Sequence, residues 1–218
     1  MTKRVAVILS GSGVYDGAEL HESVLCLLAL DRVGADVTIL APNKEQAHVI
    51  NHQEGSPAEG TVRHVMEESA RIARGPVTAL DQAQASDFDA VLMPGGFGAA
   101  KNLCTWAFDG AACTVDPDVE RFLKAVHQQG SWIGACCIAP VILAKVFGDQ
   151  GVEVTIGQGD AEHVEVEKPG AKHIKMNVNG VHRDSARRVI TTPAYMEAQR
   201  ISELPTGINE LVRQLIEA

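Results

Sequence analysis

The stretch Trp132-Ile133-Gly134-Ala135-Cys136-Cys137-Ile138-Ala139-Pro140 runs from an apolar, strand-like segment into a helical one through two cysteines. A thiol held on such a strand-to-helix turn is a nucleophile of the elbow type. An elbow crowds the positions two before and two after its nucleophile. For Cys137 these are Ala135 and Ala139, both small, whereas for Cys136 one of them is Ile138. Proline agrees: with Cys137 as the helix N-cap, Pro140 takes the third helical position, whose N–H has no intrahelical partner, while a cap at Cys136 puts it where the first helical bond is needed. Cys137 is therefore expected at the turn and Cys136 in the strand. The helix dipole and free N–H groups would stabilise a thiolate there, so a lowered pKa is expected for Cys137. The competing reading is a pair of small buried cysteines, since free cysteine is among the residue types most often buried. Met93-Pro94-Gly95-Gly96-Phe97-Gly98 supplies context: Gly95 and Gly96 after a buried strand let backbone N–H groups face a reacting oxygen. With the N–H of Ile138 they would make an oxyanion hole.

Other constellations are weaker. Ser10-Gly11-Ser12-Gly13 follows a strand, but Gly11, Gly13 and Gly17 are spaced G-x-G-x-x-x-G, the second strand ends without an acidic residue for a ribose, and no G-K-[ST] follows. A turn after the first strand is the better reading than a nucleotide site. His48 and His52 have the spacing of one helical face, yet no H-E-x-x-H surrounds them and no third metal ligand is evident; a surface helix and a loop overhanging a pocket fit equally. In Cys113-Thr114-Val115-Asp116, Asp116 is expected to cap a helix with Pro117 at its first position, a structural role rather than a second reactive thiol.

The elements that must carry these residues alternate between short apolar runs and helical stretches, the pattern of a parallel sheet covered on both faces. Strands are expected at Arg4–Ser10, Asp36–Leu40, Ala90–Met93, Trp132–Cys136, Val152–Ile156 and Val189–Thr192. Helices are expected at Glu19–Val33, Thr61–Arg74, Pro117–Gln128, Ile138–Phe147 and Gly207–Ile216, the first with Leu20, Val24, Leu27, Leu28 and Leu30 at helical spacing. No internal repeat or long linker divides residues 1–218, so one α/β domain is expected. In such sheets sites form where strands end and helices begin.

Composition narrows the partners. The 218 residues are 45% hydrophobic and carry a net charge of −9, which disfavours nucleic acid and anionic membrane surfaces and leaves a small molecule as the expected ligand. No apolar run approaches the ~20 residues of a membrane helix, and the opening MTKRVAVILSGSG reads as a first strand rather than a targeting segment. Five cysteines without a CxxC pair argue against a disulfide framework and for a reducing, cytoplasmic setting.

Together these features resemble the PfpI-type branch of the class I glutamine amidotransferase-like superfamily, with its Gly-Gly loop and its cysteine elbow ending in proline. The chain is more closely similar to the ElbB family, named for enhancing lycopene biosynthesis. The resemblance lies in Val7–Asp16 (VILSGSGVYD), Gly17–Glu22 (GAELHE), Val49–His52 (VINH), Pro94–Asn102 (PGGFGAAKN), Cys113–Asp116 (CTVD), Cys137–Pro140 (CIAP) and Thr191–Met196 (TTPAYM). It implies a flavodoxin-like parallel sheet between helices, a homodimer, Cys137 as nucleophile, and Glu22 as a glutamate reaching it from the first helix. Glu22 lies twelve residues before the helix-stop glycine Gly34, as in the superfamily; Glu19, one turn earlier, is its competitor. A carboxyl desolvated beside sulfur can stay protonated and pass protons.

One departure bears on mechanism. Cys-His enzymes of the superfamily commonly carry histidine about twenty residues after the cysteine, where this chain has Gly157; His163 and His173 lie further on, in a polar stretch typical of surface residues. Amidotransferase or protease chemistry, which must protonate an amine leaving group, is poorly served. An aldehyde substrate demands less. The resemblance then implies a glyoxalase-type enzyme converting glyoxal or methylglyoxal to a 2-hydroxy acid without metal, glutathione or other cofactor. The alternative is a redox-sensing or binding protein linked to isoprenoid metabolism.

Overall fold

The computed structural model describes residues 2–218, apart from the side chains of residues 160–162. In chain order the strands are β1 (Arg4–Ile8), β2 (Asp36–Ala41), β3 (Ile50–Asn51), β4 (Ser56–Pro57), β5 (Thr78–Ala79), β6 (Ala90–Met93), β7 (Trp132–Cys136), β8 (Glu153–Val154), β9 (Lys172–His173), β10 (His182–Asp184) and β11 (Val189–Thr192). The helices are α1 (Leu20–Arg32), α2 (Val65–Ala73), α3 (Trp106–Asp109), α4 (Pro117–Gln128), α5 (Pro140–Phe147), α6 (Asp160–Glu167) and α7 (Leu204–Glu217). Seven strands form the central sheet in the order β10-β11-β7-β6-β1-β2-β5. All its pairings are parallel except that of the edge strand β10 with β11.

Strands buried on both faces must be apolar throughout, and these are. Ala6, Ile8, Val91, Met93 and Ile133 face a core completed by Phe122 and Leu123 of α4 and Ile142 of α5. Their alternating neighbours Val5, Val7, Ala90 and Leu92 face a second core with Cys26 and Leu30 of α1 and Ile208 and Leu211 of α7. Each large side chain buried in this way contributes ~1.5–3 kcal/mol. The carboxyl ends of β1, β6 and β7 are held rigidly as a result, and the chain reverses its direction of sheet growth between β1 and β6, where a ligand crevice is expected.

Several expectations need correction. Leu20, Val24 and Leu28 do not line the buried side of α1: they are 46%, 54% and 38% exposed. Its buried residues are Glu22, Ser23, Cys26, Ala29 and Leu30, mostly small, which lets α1 lie close against α7. The strand expected at Val152–Ile156 shrinks to Glu153–Val154 and pairs with β9 outside the main sheet. Side chains take the donors a longer ladder would use: Glu153 N–H goes to Asp184 Oδ2 and Thr155 N–H to Thr191 Oγ1, both at 2.9 Å. The helix expected from Thr61 starts only at Val65, because the bridge between Glu45 and His64 holds the preceding backbone extended. The closing helix is longer than Gly207–Ile216, with Pro205 in its first turn. Asp116 does cap α4, accepting the N–H groups of Asp118 and Val119, with Pro117 next to it.

Candidate active site

Strand β7 ends at Cys136, and the chain turns at Cys137 with φ 61°. A non-glycine residue in this left-handed region is strained by roughly 1–2 kcal/mol and persists only where its surroundings fix it. Here Cys137 N–H donates to Thr192 O at 3.0 Å, and Ala135 and Ala139 are fully buried on either side. The elbow stands where expected, but its cap does not. Residues 137–139 form a turn, Ala139 is the N-cap, and Pro140 opens α5, where a proline's missing N–H costs nothing.

Glu22, in the first turn of α1, is fully buried. Its Oε2 accepts Gly95 N–H at 3.0 Å and its Oε1 accepts Tyr195 N–H at 3.1 Å. The left-handed turn at Ala194, φ 45°, precedes that second donor. The Glu22 carboxyl also faces the Cys137 thiol, since a Cβ on Gly95 would lie within 3 Å of both Glu22 Oε2 and Cys137 Sγ. Burial, and then the charge of Glu19, push Glu22 up to about 7 despite the two N–H donors. Glu19 is the helix cap, accepting Glu22 N–H at 2.7 Å, so the helix register sends Glu22 and not Glu19 to the sulfur.

The lowered pKa expected for Cys137 is overturned. Burial first, and then the charge of Glu22, push its thiol well above the ordinary range, while the N–H groups of Gly96 and Ile138 pull the other way. The expectation weighed the helix N-terminus alone; a closed site and a neighbouring carboxyl outweigh it. A proton on Glu22 removes the repulsion, so the pair exchanges protons more readily than it holds two charges. The glycine loop is also rearranged. Gly96 and Ile138 aim their N–H groups at the sulfur, but Gly95 N–H, expected in the oxyanion hole, is taken by Glu22. Gly95 has a different reason to be glycine: a Cβ there would lie 2.4 Å from Cys137 Cβ and 2.7 Å from Glu22 Oε2.

Beside the sulfur lies a cavity of about 190 Å³, lined by Val14, Gly96, Phe97, Cys137, Ile138, Tyr195 and Met196. Val14, Phe97, Tyr195 and Met196 escaped the sequence reading as lining residues, because neither apolar side chains nor a lone tyrosine carry a chemical signature. The positions after Gly96 and Thr192 in the PGGFG and TTPAYM blocks were the signal available. Tyr195 Oη lies 2.7 Å from His21 Nδ1.

At Gly157 the space a histidine would use is filled, since a Cβ there would meet Glu197 Oε1 at 2.5 Å. His173 is not a surface residue: it is buried, accepts Ile156 N–H on Nε2 at 3.2 Å, and stands 2.9 Å from His163 through their Nδ1 atoms. His48 and His52 do not share a helical face. His52 lies in the β3–β4 hairpin turn and its Nε2 accepts Tyr15 N–H at 3.2 Å, while His48 meets the edge of Phe108. Among the described residues no three His, Cys, Asp or Glu side chains gather as metal ligands would. In the first loop Gly11 N–H goes to Ser69 Oγ and Gly13 N–H to Ala18 O, so these donors are used within the protein.

The comparisons with known proteins agree with this geometry. A human protein named glutamine amidotransferase-like class 1 domain-containing protein 3, mitochondrial, is 48% identical to the chain, covering 98% of it and 82% of its own length. The crystal structure of an isoprenoid biosynthesis protein with amidotransferase-like domain from Ehrlichia chaffeensis superposes with a TM-score of 0.90 at 32% identity, over 98% of this chain and 99% of its own. Drosophila melanogaster DJ-1beta shares the fold, with a TM-score of 0.62 at 20% identity over 100% and 92% of the two chains. The cytoplasmic expectation is overturned, because the human relative and those from rat and zebrafish are all named mitochondrial. Unpaired cysteines argue for a reducing environment and do not tell these compartments apart. A sequence model described as the DJ-1/PfpI family matches residues 3–197, and with the elbow, the glycine loop and the doubly covered sheet, the chain belongs to the DJ-1/PfpI family, with a class I glutamine amidotransferase-like fold.

Proposed function

We propose that this protein is an ElbB-like, cofactor-independent glyoxalase-type enzyme that converts small 2-oxoaldehydes to 2-hydroxy acids at Cys137. The observation that carries the reading is the convergence of one sulfur, one displaced carboxyl and two N–H donors beside a small apolar cavity. In the proposed sequence Cys137 loses its proton to Glu22 as its sulfur adds to the aldehyde carbon. The oxygen that becomes negative takes that proton, with the N–H groups of Gly96 and Ile138 as its donors, and a hemithioacetal results. Glu22, again a carboxylate, removes the hydrogen from the former aldehyde carbon and returns it to the neighbouring carbon, while the hydroxyl proton of the hemithioacetal passes to the neighbouring carbonyl oxygen, leaving a 2-hydroxy thioester. Water releases the 2-hydroxy acid and restores the thiol. A carboxyl with a pKa of about 7 is suited to both directions of transfer. With Glu197 rather than an imidazole at Gly157, the acid–base assistance of roughly 10²–10⁴-fold that a histidine provides is absent, and a slow rate is expected. Chelator-treated protein given methylglyoxal without glutathione should form lactate catalytically, Cys137→Ala should form none, and Cys136→Ala should retain most of the activity.

A second reading has its own support. The Ehrlichia protein is named an isoprenoid biosynthesis protein, and a redox-sensing or binding role linked to that metabolism needs the thiol but no turnover. Methylglyoxal trapped on Cys137 in single-turnover amounts, with no lactate above the Cys137→Ala level, would select it. Under either reading a homodimer is proposed, supported by the exposed stripe Leu20, Val24 and Leu28 on one side of α1. Sedimentation should give twice the chain mass, and Val24→Asp should shift it toward one.

A further inference from the structure

Four cysteines outside the elbow fall into two facing pairs, Cys26 with Cys136 and Cys104 with Cys113. The surroundings of the pairs differ. Cys26 and Cys136 are fully buried between α1 and the sheet, in the second core. Cys104 and Cys113 lie at the start and end of a short excursion that holds α3. The strand-like bridge of Cys104 with Val115 and the bond from Thr105 N–H to Thr114 O at 2.9 Å clamp the ends of that excursion together. Cys104 and Cys113 are themselves buried, at 3% and 1% exposure, but the chain neighbours of Cys113, Ala112 and Thr114, are exposed.

We propose that Cys104 and Cys113 form a second thiol site, a dithiol that hydrogen peroxide oxidises to an intramolecular disulfide. Contact with Cys104 and the charge of Lys145, whose Nζ donates to Ala111 O at 3.0 Å, draw the Cys113 thiol below its ordinary range. Contact with Cys113 and burial push Cys104 up. Cys113, flanked by exposed residues, is the attacking sulfur, and Cys104, whose thiol is turned inward onto Ala99 O, the resolving one. The Cys113 thiolate displaces one oxygen of the peroxide O–O bond, forming a sulfenic acid, and the departing oxygen leaves as water after protonation. Cys104 then attacks the Cys113 sulfur. The S–S bond forms as the S–O bond breaks, and the Cys104 proton leaves with the oxygen as a second water. Two thiols are oxidised and one peroxide is reduced. The Cys104 thiol also donates to Ala99 O at 3.4 Å, in the segment that follows Gly96, so this chemistry takes place one turn from the loop facing Cys137.

No lysine or arginine lies between Lys101 and Arg121, so trypsin releases both cysteines in one peptide, residues 102–121. Folded full-length Cys137→Ser protein is treated with hydrogen peroxide, and its free thiols are alkylated after denaturation. Peptide 102–121 should appear unalkylated and lighter by two hydrogens, reverting to two alkylatable thiols after reduction, while Cys26 and Cys136 stay alkylatable. Adding Cys104→Ser should stop Cys113 at a sulfenic acid that dimedone traps. Two alkylatable thiols in peptide 102–121 after treatment, or a disulfide that links Cys26 to Cys136 first, would overturn the proposal. The readout is a mass and not turnover, so it stands or falls independently of the glyoxalase reading.

Discussion

Glu22→Gln separates the charge of this side chain from its shape. Raising a carboxyl from 4.5 to about 7 costs ~1.4 kcal/mol per tenfold change in its acid constant, about 3 kcal/mol in all. The folded pKa lies above the unfolded one, so the folded protein keeps a proton that the unfolded chain releases. The associated stability is fully present below about pH 4.5, falls as pH rises, and is lost above about pH 7. Glutamine does not titrate and shows none of this dependence. It does bring a separate, constant cost: both Glu22 oxygens accept backbone N–H groups, and an amide nitrogen would set a donor against Gly95 or Tyr195, worth ~1–3 kcal/mol. The variant's deficit should therefore shrink by roughly 2–3 kcal/mol between about pH 5 and pH 8. Urea unfolding followed by circular dichroism measures this at each pH. A deficit that stays the same across that range would refute the assignment of a displaced proton to Glu22.

Three further outcomes are expected. The charge of Glu22 raises the Cys137 thiol, so the pH profile of Cys137 alkylation by iodoacetamide should move to lower pH in Glu22→Gln, and an upward move would reverse the electrostatic argument. Gly95→Ala should destabilise by ~1–3 kcal/mol or more through overpacking against Cys137 and Glu22 and should alter Cys137 alkylation, whereas Gly34→Ala, at φ +70° in open space, should cost only ~1–2 kcal/mol and leave alkylation unchanged; urea midpoints and labelling rates report both. Asp116→Ala removes the cap of α4 and the ion pair with Lys44, and its unfolding free energy should fall by ~0.5–2 kcal/mol with the Cys137 alkylation rate unaltered.

What the sequence discloses about this fold depends on whether local pattern and tertiary demand coincide. β7 and its turn were readable because small residues two places either side of Cys137 are a local steric requirement. The capping of α4 by Asp116 was readable for the same reason. The face of α1 was not, since helical periodicity finds an apolar stripe without saying what covers it, and the side packed on α7 needs small residues and Glu22 instead. β8 misled because its apolar residues are satisfied by burial under side-chain caps rather than by a place in the sheet. The Cys137 thiol was misjudged in direction because a helix terminus is visible in sequence, whereas its burial and the facing carboxyl of Glu22 come from segments far apart in the chain. The facing of Cys104 and Cys113 likewise arises from a bridge between backbones that no spacing rule encodes.

The carbonyl that holds the elbow belongs to Thr192, and the N–H that clamps one oxygen of Glu22 belongs to Tyr195. Both lie more than fifty residues after the nucleophile they serve. On the ribosome, therefore, the reactive thiol is made well before its partners. Until β11 has slotted in beside β7 and the following turn has docked, the growing polypeptide carries a cysteine without its fixed turn and a glutamate without its clamp. Competence at this site waits for residues 192–195, and a chain halted before residue 192 would present a cysteine without its fixed turn to the cell.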